Sequence, residues 1–153
     1  MGVRSCELAA IRIHDKVFLG GSYTDTSYKL RRANALIIAV NCIQPGGTCF
    51  CASMGTGPEA KSGFDLCLTE ILEKGRHCFV IESGSRQGEE ILKEISHHPA
   101  SKDDCARVKA LMEEAGNKMG RQMEPQGLKA ALLGNPEHPQ WEQIAQRCLS
   151  CAN

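Results

Sequence analysis

The order of apolar and polar residues predicts a mixture of helices and strands in the first half of the chain. Apolar residues recur at helical spacing over 6–18, with Ser5 predicted as the N-cap, and a second, shorter helix follows. The uninterrupted apolar run at 35–40 predicts a buried strand. Apolar segments at 65–71 and 77–82 flank a Gly-containing turn, which predicts a β-hairpin.

Beyond residue 84 the apolar spacing becomes helical. Ser85 is a good N-cap for a helix over 86–96, Ser101 begins a longer helix to about residue 123, and two short helices follow up to Cys148. The predicted fold class is therefore α/β: a small mixed sheet with flanking helices, followed by a helical C-terminal segment. We predict three parts, which are an α/β cysteine-loop domain at 1–84, a helical segment packing on it at 85–147, and the start of a truncated ferredoxin-type motif at 148–153.

Composition and charge narrow the range of partners. The chain has 153 residues, enough for a real core, and its 18 basic and 18 acidic residues give a net charge of zero. This balance gives no support for nucleic acid or an anionic membrane surface as a partner. The longest apolar run is too short to span a membrane, and no signal-peptide pattern opens the chain. We expect a cytoplasmic protein without nucleic-acid partners or membrane insertion.

The chain contains nine cysteines, which is many for a cytosolic protein. Cytosolic thiols are kept reduced, and an odd number cannot pair completely, so a disulfide framework is not predicted. Three explanations then remain for each cysteine: metal or cluster ligation, thiol redox chemistry, or packing as a small apolar residue. Cys67 and Cys78 lie within strand patterns and are predicted to pack in the core, whereas Cys105 is interpreted as incidental.

Cys42, Cys49 and Cys51 lie in a loop rich in Gly and Pro, directly after the apolar run at 35–40. A cubane iron–sulfur cluster needs four converging thiolates and a backbone that can approach the sulfides closely. Cys6 lies where a strand would turn into the first helix, at the sheet edge where the buried strand also delivers Cys42. These four cysteines are therefore predicted to hold a 4Fe-4S cluster.

The spacing leaves other interpretations open. Zinc also takes four thiolates, although C-x6-C-x-C is not a common zinc-finger spacing. A structural zinc module is one alternative, and a thiol-redox pair such as Cys49 and Cys51 is a weaker one. No Ser-His-Asp or Cys-His arrangement is supported by spacing, so no catalytic residue is predicted.

A second motif, Cys148-x-x-Cys151, lies near the end of the sequence. A lone C-x-x-C can be redox-active, bind zinc, or supply the first two ligands of a ferredoxin-type C-x2-C-x2-C-x3-C-P run. The ferredoxin interpretation is favoured because a predicted helix precedes the motif, where thioredoxin chemistry would place a strand. The second site is then incomplete in this chain, and we expect a fragment of a longer protein.

Several segments together resemble one protein family. They are Gly2–Leu8, Asp15–Leu19, Tyr28 with Arg31-Arg32, Asn41–Pro58 and Gly63–Leu66. The most specific part is the Thr-Cys-Phe-Cys-Ala-Ser-Met-Gly-Thr-Gly-Pro sequence that ends the loop. This set resembles the 4Fe-4S dicluster proteins, which include the electron-transfer subunit of anaerobic sulfite reductase and the beta subunit of cytosolic NiFe sulfhydrogenases. The resemblance covers essentially the whole chain.

The resemblance implies the middle of a longer electron-transfer subunit, in which Cys148 and Cys151 match the first two cysteines of a ferredoxin part. Such a subunit relays electrons between a flavin- or nicotinamide-reacting partner and a catalytic subunit, and this chain would hold no catalytic centre of its own. Two positions depart from the family pattern: Ser5, where Pro is expected, and Cys67, where a small apolar residue is expected. The second departure favours Cys67 as a packing residue.

Overall fold

The computed structural model describes residues 2–73 and 75–149. Its elements in chain order are α1 (Ser5–Leu19), α2 (Thr26–Ala33), β1 (Ile38–Val40), β2 (Leu66–Glu73), β3 (Arg76–Ser83), α3 (Arg86–Glu94), α4 (Lys102–Asn117), α5 (Leu128–Leu133) and α6 (Gln140–Ala145). The predicted fold class is confirmed, since a small mixed sheet with flanking helices is followed by helices alone. The chain divides into two compact units, Met1–Gln122 and Met123–Asn153. No described helix is long and apolar enough to cross a membrane.

The sheet has the strand order β1-β2-β3. β1 and β2 are parallel, whereas β2 and β3 form the predicted antiparallel hairpin, whose turn includes Gly75 at a φ of 80°. On the other side of β1, Val3 forms a parallel bridge with Ala39. The Val40 amide donates a 2.9 Å hydrogen bond to the Val3 carbonyl, so the residues just before α1 extend the sheet by one short edge.

A hydrophobic core joins α1 to β1, β2 and the segment that follows the cysteine loop. Its buried members are Leu8, Ile37, Ala39, Ala60, Phe64 and Cys67. Cys67 is 1% exposed, which confirms its predicted packing role, and burial raises its pKa to about 11, with Glu82 adding repulsion. Cys78 is only half-buried on β3, so its predicted place in the core is wrong. The position of the strand explains the difference, because β2 is the central strand, whereas β3 is at the edge of the sheet and none of its residues is fully buried.

Two of the three serine N-caps predicted from the sequence are present in the structure. The Ser85 hydroxyl accepts a 3.1 Å hydrogen bond from the Gly88 amide, and the Ser101 hydroxyl accepts one of 3.1 Å from the Asp104 amide. Both predicted caps are therefore confirmed. Ser5 is not a cap: it is the first residue of α1, and its hydroxyl donates to the carbonyl oxygen of Glu59 at 2.7 Å. The Ser5 hydroxyl therefore does not cap α1, but joins α1 to the end of the cysteine loop.

Candidate metal centre in the cysteine loop

Two of the four predicted ligands follow adjacent backbone segments that run in the same direction. Val3 and Ala39 form the parallel bridge, Cys6 follows in the first turn of α1, and Cys42 lies two residues after β1. Parallel segments deliver their following residues to the same edge of a sheet. The predicted convergence of Cys6 and Cys42 at one edge therefore has a direct basis in the strand pairing.

The two ends of the cysteine loop are held together by a buried asparagine. Asn41 is 6% exposed, and its side-chain amide nitrogen donates to the Thr69 hydroxyl at 2.9 Å while its side-chain oxygen accepts from the Ala60 amide at 2.8 Å. The Cys42 amide donates to the Pro58 carbonyl at 3.3 Å. Since buried polar groups are costly unless paired, these bonds fix where the loop leaves and rejoins the fold.

The other three predicted ligands lie close enough to Cys51 to act on its thiol. Burial raises the pKa of the Cys51 thiol, and repulsion from the thiolates of Cys6, Cys42 and Cys49 raises it further. Burial is also the main cause that raises the pKa of Cys42, where the Gln44 amide opposes the shift and Cys49 adds to it. Thiolates that repel one another in this way are stabilised by a bound cation that replaces their protons.

Backbone groups approach the sulfur atoms closely. The Gly46 amide donates to the Cys49 Sγ at 3.3 Å, as amides do toward the thiolates of iron–sulfur sites. Gly57 packs on Cys51 so tightly that an added Cβ would lie 2.8 Å from the Cys51 Sγ. Gly57 is therefore required by packing, because a side chain there would occupy the space of the thiol, whereas a Cβ at Gly46 would make an ordinary contact, 3.7 Å from the Cys49 Sγ.

Met119 covers part of the site, and sequence analysis did not identify it. Its Sδ lies 3.7 Å from the Cys51 Sγ and accepts a 3.4 Å hydrogen bond from the Ala52 amide. The predicted helix to about residue 123 would have placed Met119 on the apolar stripe of that helix. α4 instead ends at Asn117, so Met119 lies in the segment after it.

The next two residues attach the same segment to the loop. The Arg121 amide donates to the Cys49 carbonyl at 3.1 Å, and Gly120 lies directly against the backbone of Gly47. Glycine commonly marks the end of a helix, so Gly120 was the available signal that the predicted helix was too long.

The remaining cysteines do not join this group. Cys67 is in the core, Cys78 is on β3, and Cys105 is exposed on α4. Cys148 is exposed in the second compact unit, and Cys151 lies outside the described residues, so the predicted second site stays a prediction. Within residues 2–73 and 75–149, no three His, Cys, Asp or Glu side chains are grouped closely enough to hold a single metal ion.

The chain is similar to a known hydrogenase subunit over nearly its whole length. It is 31% identical over 154 aligned positions to the beta subunit of sulfhydrogenase 2 from Pyrococcus furiosus. The alignment covers 99% of this chain and 44% of that protein, so the chain spans less than half the length of its relative. No family model matches the chain, and no solved structure matches it significantly. Of the predicted resemblance, the relationship to a hydrogenase beta subunit is thus confirmed, and it concerns one part of such a subunit.

Proposed function

We propose that this chain is part of an iron–sulfur electron-transfer subunit of a multi-subunit oxidoreductase, such as a NiFe hydrogenase or an anaerobic sulfite reductase. In this proposal Cys6, Cys42, Cys49 and Cys51 hold one 4Fe-4S cluster, and other subunits carry the catalytic centre. The observation that carries the proposal is geometric: the pairing of Val3 with Ala39 brings Cys6 and Cys42 to one sheet edge, beside a loop in which the Cys49 sulfur accepts a hydrogen bond from the Gly46 amide. The similarity to a sulfhydrogenase beta subunit supports the oxidoreductase role.

The donor set fits such a cluster. Cubane clusters are held by four cysteine thiolates, and when bound they supply one-electron transfer. Cys6 and Cys42 come from two segments at one sheet edge, Cys49 and Cys51 come from the loop, and the Gly46 amide donates to the Cys49 sulfur. Met119 excludes water from the side of Cys51 that it contacts. Amide donation to sulfur and the solvent exposure of the site are two of the factors that set a cluster's reduction potential, and Cys6 is exposed while the other three cysteines are half-buried.

Zinc is the second candidate for the same four cysteines, because it takes the same donors. A tetrahedral zinc site with Zn–S bonds of about 2.3 Å brings its thiolates to within roughly 4 Å of one another. Each thiolate of a cubane binds a different iron, so its sulfur atoms stand further apart. The same four cysteines supply the donors of either centre, so the number and kind of bound metal separate the two candidates.

We extend the proposal to Cys148 and Cys151 as the first two ligands of a ferredoxin-type site that this chain does not complete. Four cysteines are needed for such a cluster, and the run beginning at Cys148 contains two. The cytoplasmic location also stays a prediction.

The test is metal analysis of the chain after anaerobic purification or reconstitution. We expect about four irons per chain and a broad absorption near about 400 nm. Cys42→Ser and Cys51→Ser should each lose the bound iron, whereas the matched control Cys105→Ser, at an exposed helical position, should keep it. A colourless protein that binds one zinc per chain would replace the cluster with a structural zinc site. A metal-free protein with a reversible dithiol titration would favour thiol-redox chemistry instead.

A further inference from the structure

The first compact unit contains a cleft beside the cysteine loop. It has a volume of about 530 Å³ and is bordered by α1, the second half of the loop, and α4. This volume is within the range of small-molecule sites, which run from about 300 to 1,000 Å³. Thr56 and Gly57 form part of its wall, so the segment that packs on Cys51 also faces the cleft.

Three cations reach this cleft from three separate elements. Arg12 comes from α1, Lys61 from the segment after the loop, and Lys109 from α4. In the part of the chain that the structure describes, none of the three has a carboxylate within 4.0 Å, although five arginines elsewhere do. Like charges gathered around a concave surface repel one another, and a bound anion offsets that repulsion.

We propose that this cleft binds a phosphate group. Lys61 and Lys109 would act as point charges toward the phosphate oxygens, and the Arg12 guanidinium presents planar donors that match a phosphate edge. The proposal does not depend on the cluster proposed for the cysteine loop, because none of its four proposed ligands lines the cleft.

Two carboxylates at the same cleft limit the size of the anion. Glu59 and Glu113 line it alongside the three cations, which leaves a single positive charge. A nucleic-acid strand needs an extended basic surface that neutralises many phosphates. A cleft with one excess charge and two nearby carboxylates instead suits a single phosphate group, either free in solution or carried by a small molecule such as a nucleotide.

The cleft also has a direct connection to the proposed redox site. The Thr56 hydroxyl lies 3.4 Å from the Cys51 carbonyl oxygen and donates to it, while Thr56 also faces the cleft. An occupant that contacts Thr56 would therefore be linked to the backbone carbonyl of Cys51 through the Thr56 side chain.

The experiment is equilibrium dialysis of the full chain against radiolabelled inorganic phosphate and, in a second arm, against AMP, at constant ionic strength. Saturable binding in the millimolar range or tighter is expected in at least one arm. The Lys61→Gln/Lys109→Gln double variant should bind at least about tenfold more weakly, since two charge-assisted contacts are lost. The matched control Lys29→Gln/Lys93→Gln, at exposed positions on α2 and α3, should bind like the parent chain.

Comparison of the two arms identifies the source of the phosphate group. Tighter binding of AMP than of phosphate indicates a nucleotide, and equal binding indicates a free oxyanion. The proposal is overturned if neither probe binds saturably, or if the double variant and the control bind equally well. All the substituted lysines are exposed, so circular dichroism should show an unchanged fold in both variants.

Discussion

Replacing Gly120 with alanine tests whether the segment after α4 closes over the cysteine loop. An added Cβ at Gly120 would overlap the carbonyl oxygen of Gly47 and lie 2.5 Å from its carbonyl carbon. Both atoms belong to the backbone, so neither can rotate away as a side chain can. The segment that contains Met119 and Arg121 must then move off the loop.

The size of the effect follows from the contacts that such a movement breaks. The hydrogen bond from the Arg121 amide to the Cys49 carbonyl contributes about 1 kcal/mol, and overpacking of this kind costs about 1–3 kcal/mol. If the segment moves off the loop, the overlap is relieved but the hydrogen bond is lost. The strain and the lost hydrogen bond are therefore alternatives, and their costs are not added together. We expect the free energy of unfolding to fall by about 1–3 kcal/mol.

Gly116→Ala is the matched control, four positions earlier in the chain. Gly116 lies within α4, and its added Cβ would have no atom within 4 Å. Alanine is favoured over glycine inside a helix by up to about 1 kcal/mol, so this variant should be as stable as the parent or more stable. Urea denaturation followed by circular dichroism measures both variants. Faster alkylation of Cys51 in Gly120→Ala should accompany the loss, because Met119 no longer covers the thiol. A Gly120→Ala protein as stable as the parent, with Gly116→Ala behaving as expected, would refute the packing of this segment on the loop.

Three further predictions concern stability and proton binding. Burial raises the pKa of Cys67 from 9.0 to about 11, so the folded state keeps this proton to a higher pH than the unfolded state does. Stability of about 3 kcal/mol, fully present below pH 9, is therefore lost as the pH rises toward 11. Urea midpoints should therefore fall more steeply with pH in the parent than in Cys67→Ala, and equal slopes would contradict this. Asn41→Leu leaves the Thr69 hydroxyl and the Ala60 amide without their partner and should lower the free energy of unfolding by about 2–4 kcal/mol. The control Asn34→Ala, at an exposed helix end, should lower it by less than about 1 kcal/mol, and chemical denaturation measures both. Zinc affinity of the metal-free chain should weaken as the pH falls, because burial raises the pKa of Cys42 and metal binding must displace its proton; a flat affinity between about pH 6 and 8 would count against this.

Much of the fold could be predicted because its signals are local. The hairpin of β2 and β3 follows from two apolar segments around a Gly-containing turn, and the caps at Ser85 and Ser101 follow from hydrogen bonds that reach only three residues along the chain. The grouping of Cys6 with Cys42 could also be anticipated, because parallel segments end at a common sheet edge. In each case the deciding interaction joins near neighbours or follows from a general rule of sheet geometry.

Other features were decided by tertiary contacts between distant parts of the chain. Ser5 is of a residue type that commonly caps helices, but its hydroxyl donates to the backbone carbonyl of Glu59, 54 positions away. Met119 has the spacing of a helical core residue, yet it contacts Cys51, 68 positions away, once α4 ends at Asn117. Apolar periodicity reports which face of an element is buried, but it does not report which remote segment will cover that face. The sequence therefore predicts which cysteines belong to the loop site, which stays a prediction, while the residues that contact the loop depend on how α1, the sheet and α4 pack together.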